Sequence, residues 1–248
     1  MRVLVIARAT FREGVRSQVF VNLAVFAVFA VGMALLLEGL TIGEKGRTLR
    51  DTALALLSGV NALLAVMMAV QSMGGADDRR MLLTVLVRPV TRMQLMAGKF
   101  LGLSALLWVN TLLAGLLLRL AVAVSDAPGA GLLVPLLGLG AEAALVVAAT
   151  LVFTAFAGTT VAAVCGLATW LVGLGGDELR RYAETQGEAA LAWMLRLAAW
   201  AMPNLQRLDF NAHPLDASRT ALVLADAVVH AVALVLVAGI VFERRDLK

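Results

Sequence analysis

Long apolar runs alternate with short polar segments along most of the chain. A helix needs roughly 20 apolar residues to cross about 30 Å of hydrocarbon, and a run of that length is the usual sign of a membrane span. Six runs come close to this length, at residues 19–40, 52–73, 100–122, 132–152, 158–175 and 219–242. The fourth and fifth are separated only by a short stretch around FTAFAGTT, so their boundary is the least sharp. The pattern predicts an all-α integral membrane protein with six transmembrane helices in a single domain, residues 1–248.

The composition agrees with this class. Of the 248 residues, 61% are hydrophobic and 15% are charged, whereas soluble domains carry roughly 45–50% apolar and about 25% charged residues. The formal net charge is +4, but the basic residues lie in short segments beside apolar runs and form no aromatic-studded basic face. This arrangement is typical of a chain that is oriented against membrane lipid, and it argues against a nucleic-acid partner.

Lysine and arginine are distributed unequally between the polar segments. Cytoplasmic segments of membrane proteins carry an excess of these residues. With the N-terminus inside, twelve fall on the inner segments 1–18, 74–99, 153–158 and 243–248, and seven on the outer segments 41–51, 123–131 and 176–218. Counting Arg119 and Arg219, at the outer ends of two runs, raises the outer number to nine. The bias predicts a multi-pass protein of the inner (cytoplasmic) membrane with both termini in the cytoplasm.

Two of the longer segments are not predicted to span. Arg8, Arg12 and Arg16 form one stripe in residues 1–18, with Ile6, Phe11, Val15 and Val19 largely off it, which favours an amphipathic helix along the inner surface. A basic tail without fixed structure is the alternative. The outer segment 176–218 has apolar residues at helical spacing and two tryptophans seven residues apart, which favours interfacial helices ended by Pro203. A poorly inserted seventh span is the alternative there.

The stretch RRMLLTVLVRPVTRMQLMAGKF, residues 79–100, is basic and apolar at once. A helix over 79–87 is too short to span, and it should end at Arg88 because the residue before Pro89 avoids helical angles. Thr91 and Gln94 form a capping-box pattern, which predicts a new helix from about residue 92. The short helix favours docking to a partner, with an ordinary positively charged loop as the alternative. The candidate docking residues are Asp77, Asp78, Arg79, Arg80, Leu82, Leu83, Leu86, Val87 and Arg88.

The same stretch continues into the third apolar run with Gly98 and Gly102. Two glycines at this spacing lie on one face of a helix and permit the close approach of a second helix. The spacing therefore predicts a tightly packed helix pair at this point.

Several polar residues lie inside the predicted spans. Charged groups in a membrane are costly and usually face the bundle interior or a water-filled path. Glu142 lies near the centre of the fourth run, Asp226 and His230 are spaced to meet on one face of the sixth, and Asn61 and Asn110 could link two helices by hydrogen bonds. Pairing within one subunit and a role at a dimer interface or translocation path both remain open for these residues.

Catalytic motifs are absent from the sequence. The only Gly-Lys pair is Gly98-Lys99, and it has Met93 and Phe100 where a P-loop needs glycine and Ser/Thr. There is no G-x-S-x-G or H-E-x-x-H motif, and the two histidines, His213 and His230, are far apart in predicted depth. The chain is therefore expected to be no enzyme and to hold no metal or cofactor, so that energy must come from another chain.

The stretch RRMLLTVLVRPVTRMQLMAGKFLGL resembles the cytoplasmic loop of ABC transporter type 2 permeases, and in particular the subgroup that includes the copper-maturation permease of nitrous oxide reductase. PNLQRLDF at 203–210, the ending FERRDLK and the N-terminal ATFREGVRSQVF also fit this family. The family usually has a glutamate before the basic pair, and here only Asp77 or Asp78 could replace it. The matching loop residues are Arg79, Arg80, Arg88, Pro89, Val90, Thr91, Arg92, Gly98, Lys99, Phe100 and Gly102.

The resemblance implies a six-helix permease that dimerises, as a homodimer or heterodimer, and binds two cytoplasmic ATPase subunits that hold ATP and Mg²⁺. Residues 79–87, within the region 77–92, would be its coupling helix, and residues 1–18 its elbow helix. The implied function is ATP-driven export of an unidentified substrate. The alternative is a permease that transports nothing and passes the ATPase motion to a periplasmic or envelope protein docked on 176–218.

Overall fold

The computed structural model describes residues 2–17, 45–74, 91–124, 131–185 and 203–244, together with the isolated residues 21, 25, 28, 29, 32, 33, 35, 36, 39 and 193. Within these ranges the chain is almost entirely helical and has no strand. The helices are α1 Arg2–Arg16, α2 Lys45–Gly74, α3 Arg92–Val124, α4 Leu133–Phe156, α5 Thr159–Leu174, α6 Gly176–Thr185 and α7 Ala217–Arg244, with a 3-10 turn at Leu205–Leu208.

Four of these helices, α2, α3, α4 and α7, are long and apolar enough to cross a membrane. This confirms the predicted class, an all-helical membrane protein. The predicted span 158–175 corresponds to α5, which is apolar but only 16 residues long. The predicted span 19–40 and the short helix 79–87 fall largely or wholly outside the described residues. The number of six spans therefore stays a prediction.

The helices form one bundle with two distinct ends. We call one the junction end: here α2 and α7 finish and α3 begins. We call the other the lid end, because residues 203–211, the lid segment, cover it. The lid segment buries Pro203, Leu205, Leu208 and Phe210 against the bundle.

Helix α4 is the centre of the bundle, since it contacts α2, α3, α5 and α7. Two glycines allow this crowding: Gly140 lies under the ring of Trp108, and the backbone at Gly138 lies against the carbonyl group of Leu208. Val147 and Leu151 of α4 and Leu64 of α2 are fully buried. In a membrane, apolar side chains gain little by leaving lipid, so close packing of this kind supplies much of the attraction between helices.

Helix α1 packs along the beginning of α3, as the glycine spacing predicted. A Cβ atom at residue 102 would lie 2.6 Å from the carbonyl oxygen of Ala7, and one at residue 98 would lie 2.6 Å from the side chain of Ile6. Further along, Gly14 of α1 meets Leu106 and the side chain of Met68. The glycine pair therefore brings two helix backbones into direct contact.

The exposed face of α1 carries Arg8, Arg12 and Arg16, as the arginine stripe predicted. The buried face differs from the prediction, because Val15 is 40% exposed and the buried positions are Thr10 and Gly14. Small residues are buried here because the close approach to α3 leaves no room for larger ones. The position of α1 along a membrane surface stays a prediction.

We expect Gly102→Ala to destabilise the protein, because the added methyl group must displace the Ala7 carbonyl or separate α1 from α3. Overpacking of this kind typically costs about 1–3 kcal/mol. Thermal unfolding in detergent should show a lower midpoint for this variant than for Gly131→Ala, where an added Cβ meets no atom within 4 Å. Equal midpoints for the two variants would show that the α1–α3 contact is loose.

Candidate functional site

The junction end begins with a capping box. The Thr91 backbone N–H donates to Oε1 of Gln94 at 3.4 Å, and the Gln94 backbone N–H donates to Oγ1 of Thr91 at 3.3 Å. These reciprocal bonds satisfy donors that a helix start otherwise leaves unpaired. The predicted helix start near Arg92 is confirmed, since α3 begins at that residue.

Arg92 joins the first turn of α3 to the last turn of α7. Its Nη1 donates to the carbonyl oxygens of Phe242 at 2.8 Å and Glu243 at 3.2 Å, and its guanidinium carbon lies 5.5 Å from the centre of the Phe242 ring. The last carbonyl groups of a helix have no partner within the helix and carry partial negative charge. The Arg92 guanidinium group donates hydrogen bonds to these carbonyl groups, and its positive charge complements their partial negative charge.

Lys99, two turns further along α3, makes the equivalent contact with α2. Its side chain is buried, and its Nζ donates to the carbonyl oxygen of Ser72 in the last turn of α2. On the α7 side, the backbone at Gly239 lies directly against the side chain of Met93. Two basic side chains of α3 thus hold the ends of α2 and α7.

In the sequence, residues 75–90 connect the end of α2 to the beginning of α3, the two helix ends that Lys99 joins. The candidate docking residues of that segment, from Asp77 to Arg88, lie outside the described residues. The structure does explain the motif residues that follow them. Gly98 and Gly102 contact α1, while Arg92 and Lys99 contact the ends of α7 and α2.

We expect Arg92→Met to loosen the end of α7, since the carbonyl groups of Phe242 and Glu243 lose their donor. Hydrogen–deuterium exchange of the purified protein should speed up in peptides covering residues 239–244 and stay unchanged in α4. Arg12→Met, which removes an exposed arginine of α1, is the matched control. If both variants exchange at the wild-type rate in that peptide, the Arg92 contacts do not stabilise the junction.

Glu142 lies on α4 in the interior of the bundle, with only 7% of its surface exposed. Its Oε1 accepts hydrogen bonds from Oγ of Ser58 on α2 and from Nε1 of Trp170 on α5, both at 2.7 Å. Neither Ser58 nor Trp170 is among the residues predicted from the sequence. In the sequence, both residues stand out only as polar groups, a hydroxyl and an indole N–H, within apolar runs. Ser58 is 84 positions and Trp170 is 28 positions from Glu142, and no spacing rule connects residues so far apart.

Asn61 and Asn110 connect α2 to α3, as predicted. Nδ2 of Asn110 donates to Oδ1 of Asn61 at 2.9 Å, and Nδ2 of Asn61 donates to Oγ1 of Thr111 at 3.0 Å. Thr111 in turn donates to the carbonyl oxygen of Leu107 at 2.9 Å. The chain of bonds is buried, and it satisfies polar groups that lipid could not.

Asp226 and His230 meet on one face of α7, with Oδ1 and Nδ1 3.4 Å apart. Against the described helices the pair does not face the bundle interior, because 61% of the Asp226 side chain and 42% of the His230 side chain are exposed. Of the four long apolar helices, α7 has the smallest buried share. The pair therefore lies on the face of α7 that is turned away from the described helices.

The lid segment is held by polar contacts as well as by burial. Nδ2 of Asn204 donates to Oδ1 of Asp177 on α6 at 2.6 Å, and Nδ2 of Asn211 donates to Oδ1 of Asp51 on α2 at 2.8 Å. Oδ1 of Asp209 accepts the backbone N–H groups of residues 211 and 212 at 3.1 Å. Within the predicted outer segment 176–218, the lid segment therefore covers this end of the bundle and is held there by specific contacts. Of its predicted helices, α6 is described, and most of 186–202 is not.

A cavity of about 240 Å³ lies between the lid segment and Glu142. Carboxyl groups of Asp51, Glu142 and Asp209 line it, and no Lys, Arg or His is found among its described lining residues. Throughout the described part of the chain, no three His, Cys, Asp or Glu side chains come together as a possible metal site. The remaining lining residues are Leu54, Ala55, Ser58, Pro135, Leu139, Trp170, Leu174, Leu205, Leu208 and Asn211.

The helices and their two ends define a multi-pass helical membrane protein. Residues 4–175 match the family described as ABC-2 family transporter protein. The match covers more than half of the 248 residues, and the chain belongs to this family. It is therefore the permease subunit of an ABC transporter, a transmembrane subunit that is not itself catalytic and that works with an ATPase. No curated protein matches the chain in sequence.

Proposed function

We propose that this permease converts ATP hydrolysis by separate cytoplasmic ATPase subunits into movement of its helix bundle, and that this movement exports a substrate. The observation that carries the proposal is the junction end. Arg92 and Lys99 join the ends of α7 and α2 to the beginning of α3, and residues 75–90 connect α2 to α3 in the sequence. A force applied to that segment would reach three long helices at once.

The segment itself has the features of a docking element. Its short helix, residues 79–87, would act as the coupling helix, with Leu82 and Leu86 on its apolar face and Asp77 or Asp78 in place of the glutamate usual in the family. An apolar helix held outside the bilayer is stabilised by burial against a partner. The ATPase subunits, which would hold ATP and Mg²⁺, are that partner in this proposal.

The orientation follows from charge. The junction end is flanked by the segments that carry twelve of the lysines and arginines, including Arg79, Arg80 and Arg244. Basic segments stay on the cytoplasmic side, so we place the junction end in the cytoplasm and the lid end outside the inner membrane. Residues 1–18 would then serve as the elbow helix on the cytoplasmic side.

We propose that the working unit contains two permease copies. The family resemblance supports this, and so does the exposed face of α7. Asp226 and His230 are costly in contact with hydrocarbon, and a second protein surface would shield them. The further similarity to the subgroup of the copper-maturation permease rests on the loop, on PNLQRLDF and on FERRDLK.

A purely mechanical function is the second candidate, and the lid segment is the observation that favours it. The lid end presents an ordered surface made of α6 and residues 203–211, which a periplasmic or envelope protein could bind. In an exporter the two copies should enclose a cavity wide enough for a substrate, and that substrate should stimulate ATP hydrolysis. A mechanical permease should instead keep a closed interface and retain a stoichiometric outer partner after detergent extraction.

We expect Leu82→Asp with Leu86→Asp to release the ATPase and leave membrane insertion intact, because two buried carboxylates would oppose docking of the apolar face. The measurement is ATP hydrolysis per permease in the complex purified through a tag on this chain. The matched control is Ala212→Asp with His213→Asp, which adds the same charges at exposed positions of the lid end. If the double variant keeps wild-type hydrolysis and stoichiometry, residues 79–87 are not the docking element.

A further inference from the structure

The cavity beneath the lid segment has an unusual balance of hydrogen-bonding groups. Oε1 of Glu142 accepts hydrogen bonds from two side-chain donors of the cavity wall, the Ser58 hydroxyl and the Trp170 indole N–H. The donor of Asn211 is used by Asp51. The Ser58 hydroxyl, the Trp170 indole N–H and one N–H of the Asn211 amide are therefore already engaged.

Acceptors, by contrast, are left over. Oε2 of Glu142 accepts no hydrogen bond from any described residue, although Glu142 is more than nine-tenths buried. Oδ1 of Asn211, which lines the same cavity, is buried and has no hydrogen-bond partner among the described residues. A buried acceptor without a partner is costly because it has lost its hydrogen bonds to water and gained none in return. Asn211 Oδ1 is such a buried acceptor, and Glu142 Oε2 is a second acceptor at the same cavity without a donor among the described residues, which is a reason to expect a bound donor.

The charge of the cavity points the same way. Glu142, Asp51 and Asp209 line it, and none of its described lining residues is basic. Asp51 is partly compensated by Arg47 and Arg50, whose Nε atoms lie 3.7 and 3.6 Å from its carboxylate oxygens. Glu142 and Asp209 have no ion-pair partner among the described residues. A group with N–H donors and a positive charge would complement the carboxylates of Glu142 and Asp209.

The apolar walls and the volume of the cavity limit the chemistry and the size of the remainder of such a ligand. Leu54, Leu139, Leu174, Leu205 and Leu208 supply an apolar lining around the polar groups. The volume of about 240 Å³ is several times the ~30 Å³ share of one water molecule and smaller than the roughly 300–1,000 Å³ of pockets for drug-sized ligands. A metal ion fits poorly, because no three possible ligands converge among the described side chains.

We propose that this cavity binds a primary alkylammonium ion, with its ammonium group donating to Glu142 Oε2 and Asn211 Oδ1 and its aliphatic chain against the leucines. The exposed Asp209 and the partly exposed Asp51 would attract the cation toward the cavity. The lid segment contributes Leu205, Leu208 and Asn211, so it closes over the bound ion. This inference concerns binding alone and does not depend on docking of an ATPase or on transport.

The test uses the purified full-length permease in detergent and n-butylammonium chloride as the probe. Because the Trp170 indole donates to Glu142, binding should change the tryptophan fluorescence in a saturable way, and Trp170→Phe should abolish that change. Tetramethylammonium chloride is the matched control ligand: it is a constitutional isomer with the same charge and no N–H donor. Sodium chloride controls for ionic strength.

We expect Glu142→Gln to weaken n-butylammonium binding by about 10- to 100-fold, as measured by calorimetric titration, because a charged hydrogen bond is lost. Asp209→Asn keeps the acceptor for the backbone N–H groups and removes only the charge, so it should weaken binding by about 3-fold. This second variant keeps the test valid if Glu142→Gln fails to fold. Asp226→Asn, outside the cavity, should bind like the wild type.

Three results would overturn the proposal. The first is a wild-type protein with no saturable response to n-butylammonium. The second is an equal response to tetramethylammonium or sodium, which would show a general effect of cations. The third is wild-type affinity in a folded Glu142→Gln or Asp209→Asn variant, which would place the binding elsewhere.

Discussion

Polar groups inside the bundle must satisfy one another, because neither lipid nor apolar side chains offer hydrogen bonds. Many polar groups of the described structure follow this constraint. Asn61 and Asn110 pair across α2 and α3, and the buried hydroxyls of Thr150 and Thr169 donate to carbonyl oxygens one turn earlier in their own helices. At the junction end, two cations satisfy the carbonyl groups of neighbouring helices. The polar contacts thus determine which helices adjoin.

The junction end combines these contacts with close packing. Glycines bring the backbone of α1 into contact with that of α3, and the backbone of α7 into contact with the side chain of Met93. Protein interiors of this density transmit displacement instead of absorbing it. A movement imposed between α2 and α3 would therefore be shared with α1 and α7, and through α4 with the rest of the bundle. The proposed coupling to an external ATPase would require this property.

The lid end has a different character. Its polar contacts, such as Asn204 with Asp177 and Asn211 with Asp51, lie at the edge of the bundle and hold a segment that carries no long helix. Glu142 beneath it has one oxygen with two donors and one with none among the described residues. A partly satisfied polar group of this kind is expensive unless something binds to it. The two ends of the protein thus differ in their contacts, and we propose coupling to an ATPase at the junction end and cation binding at the lid end.

Local pattern determined a large part of this protein. Apolar runs predicted the long helices because each backbone group in a span must be paired within its own helix, and the Thr91–Gln94 box predicted the start of α3 because capping involves only neighbouring residues. The glycine spacing predicted a close contact, but only the tertiary structure identified α1 as the partner. The tertiary structure alone also showed that Glu142 accepts hydrogen bonds from Ser58 and Trp170. It alone showed that Arg92 contacts the end of α7 and that Asp226 and His230 are exposed. These outcomes depend on which helix faces lie together, and a periodicity within one helix contains no information about its neighbour.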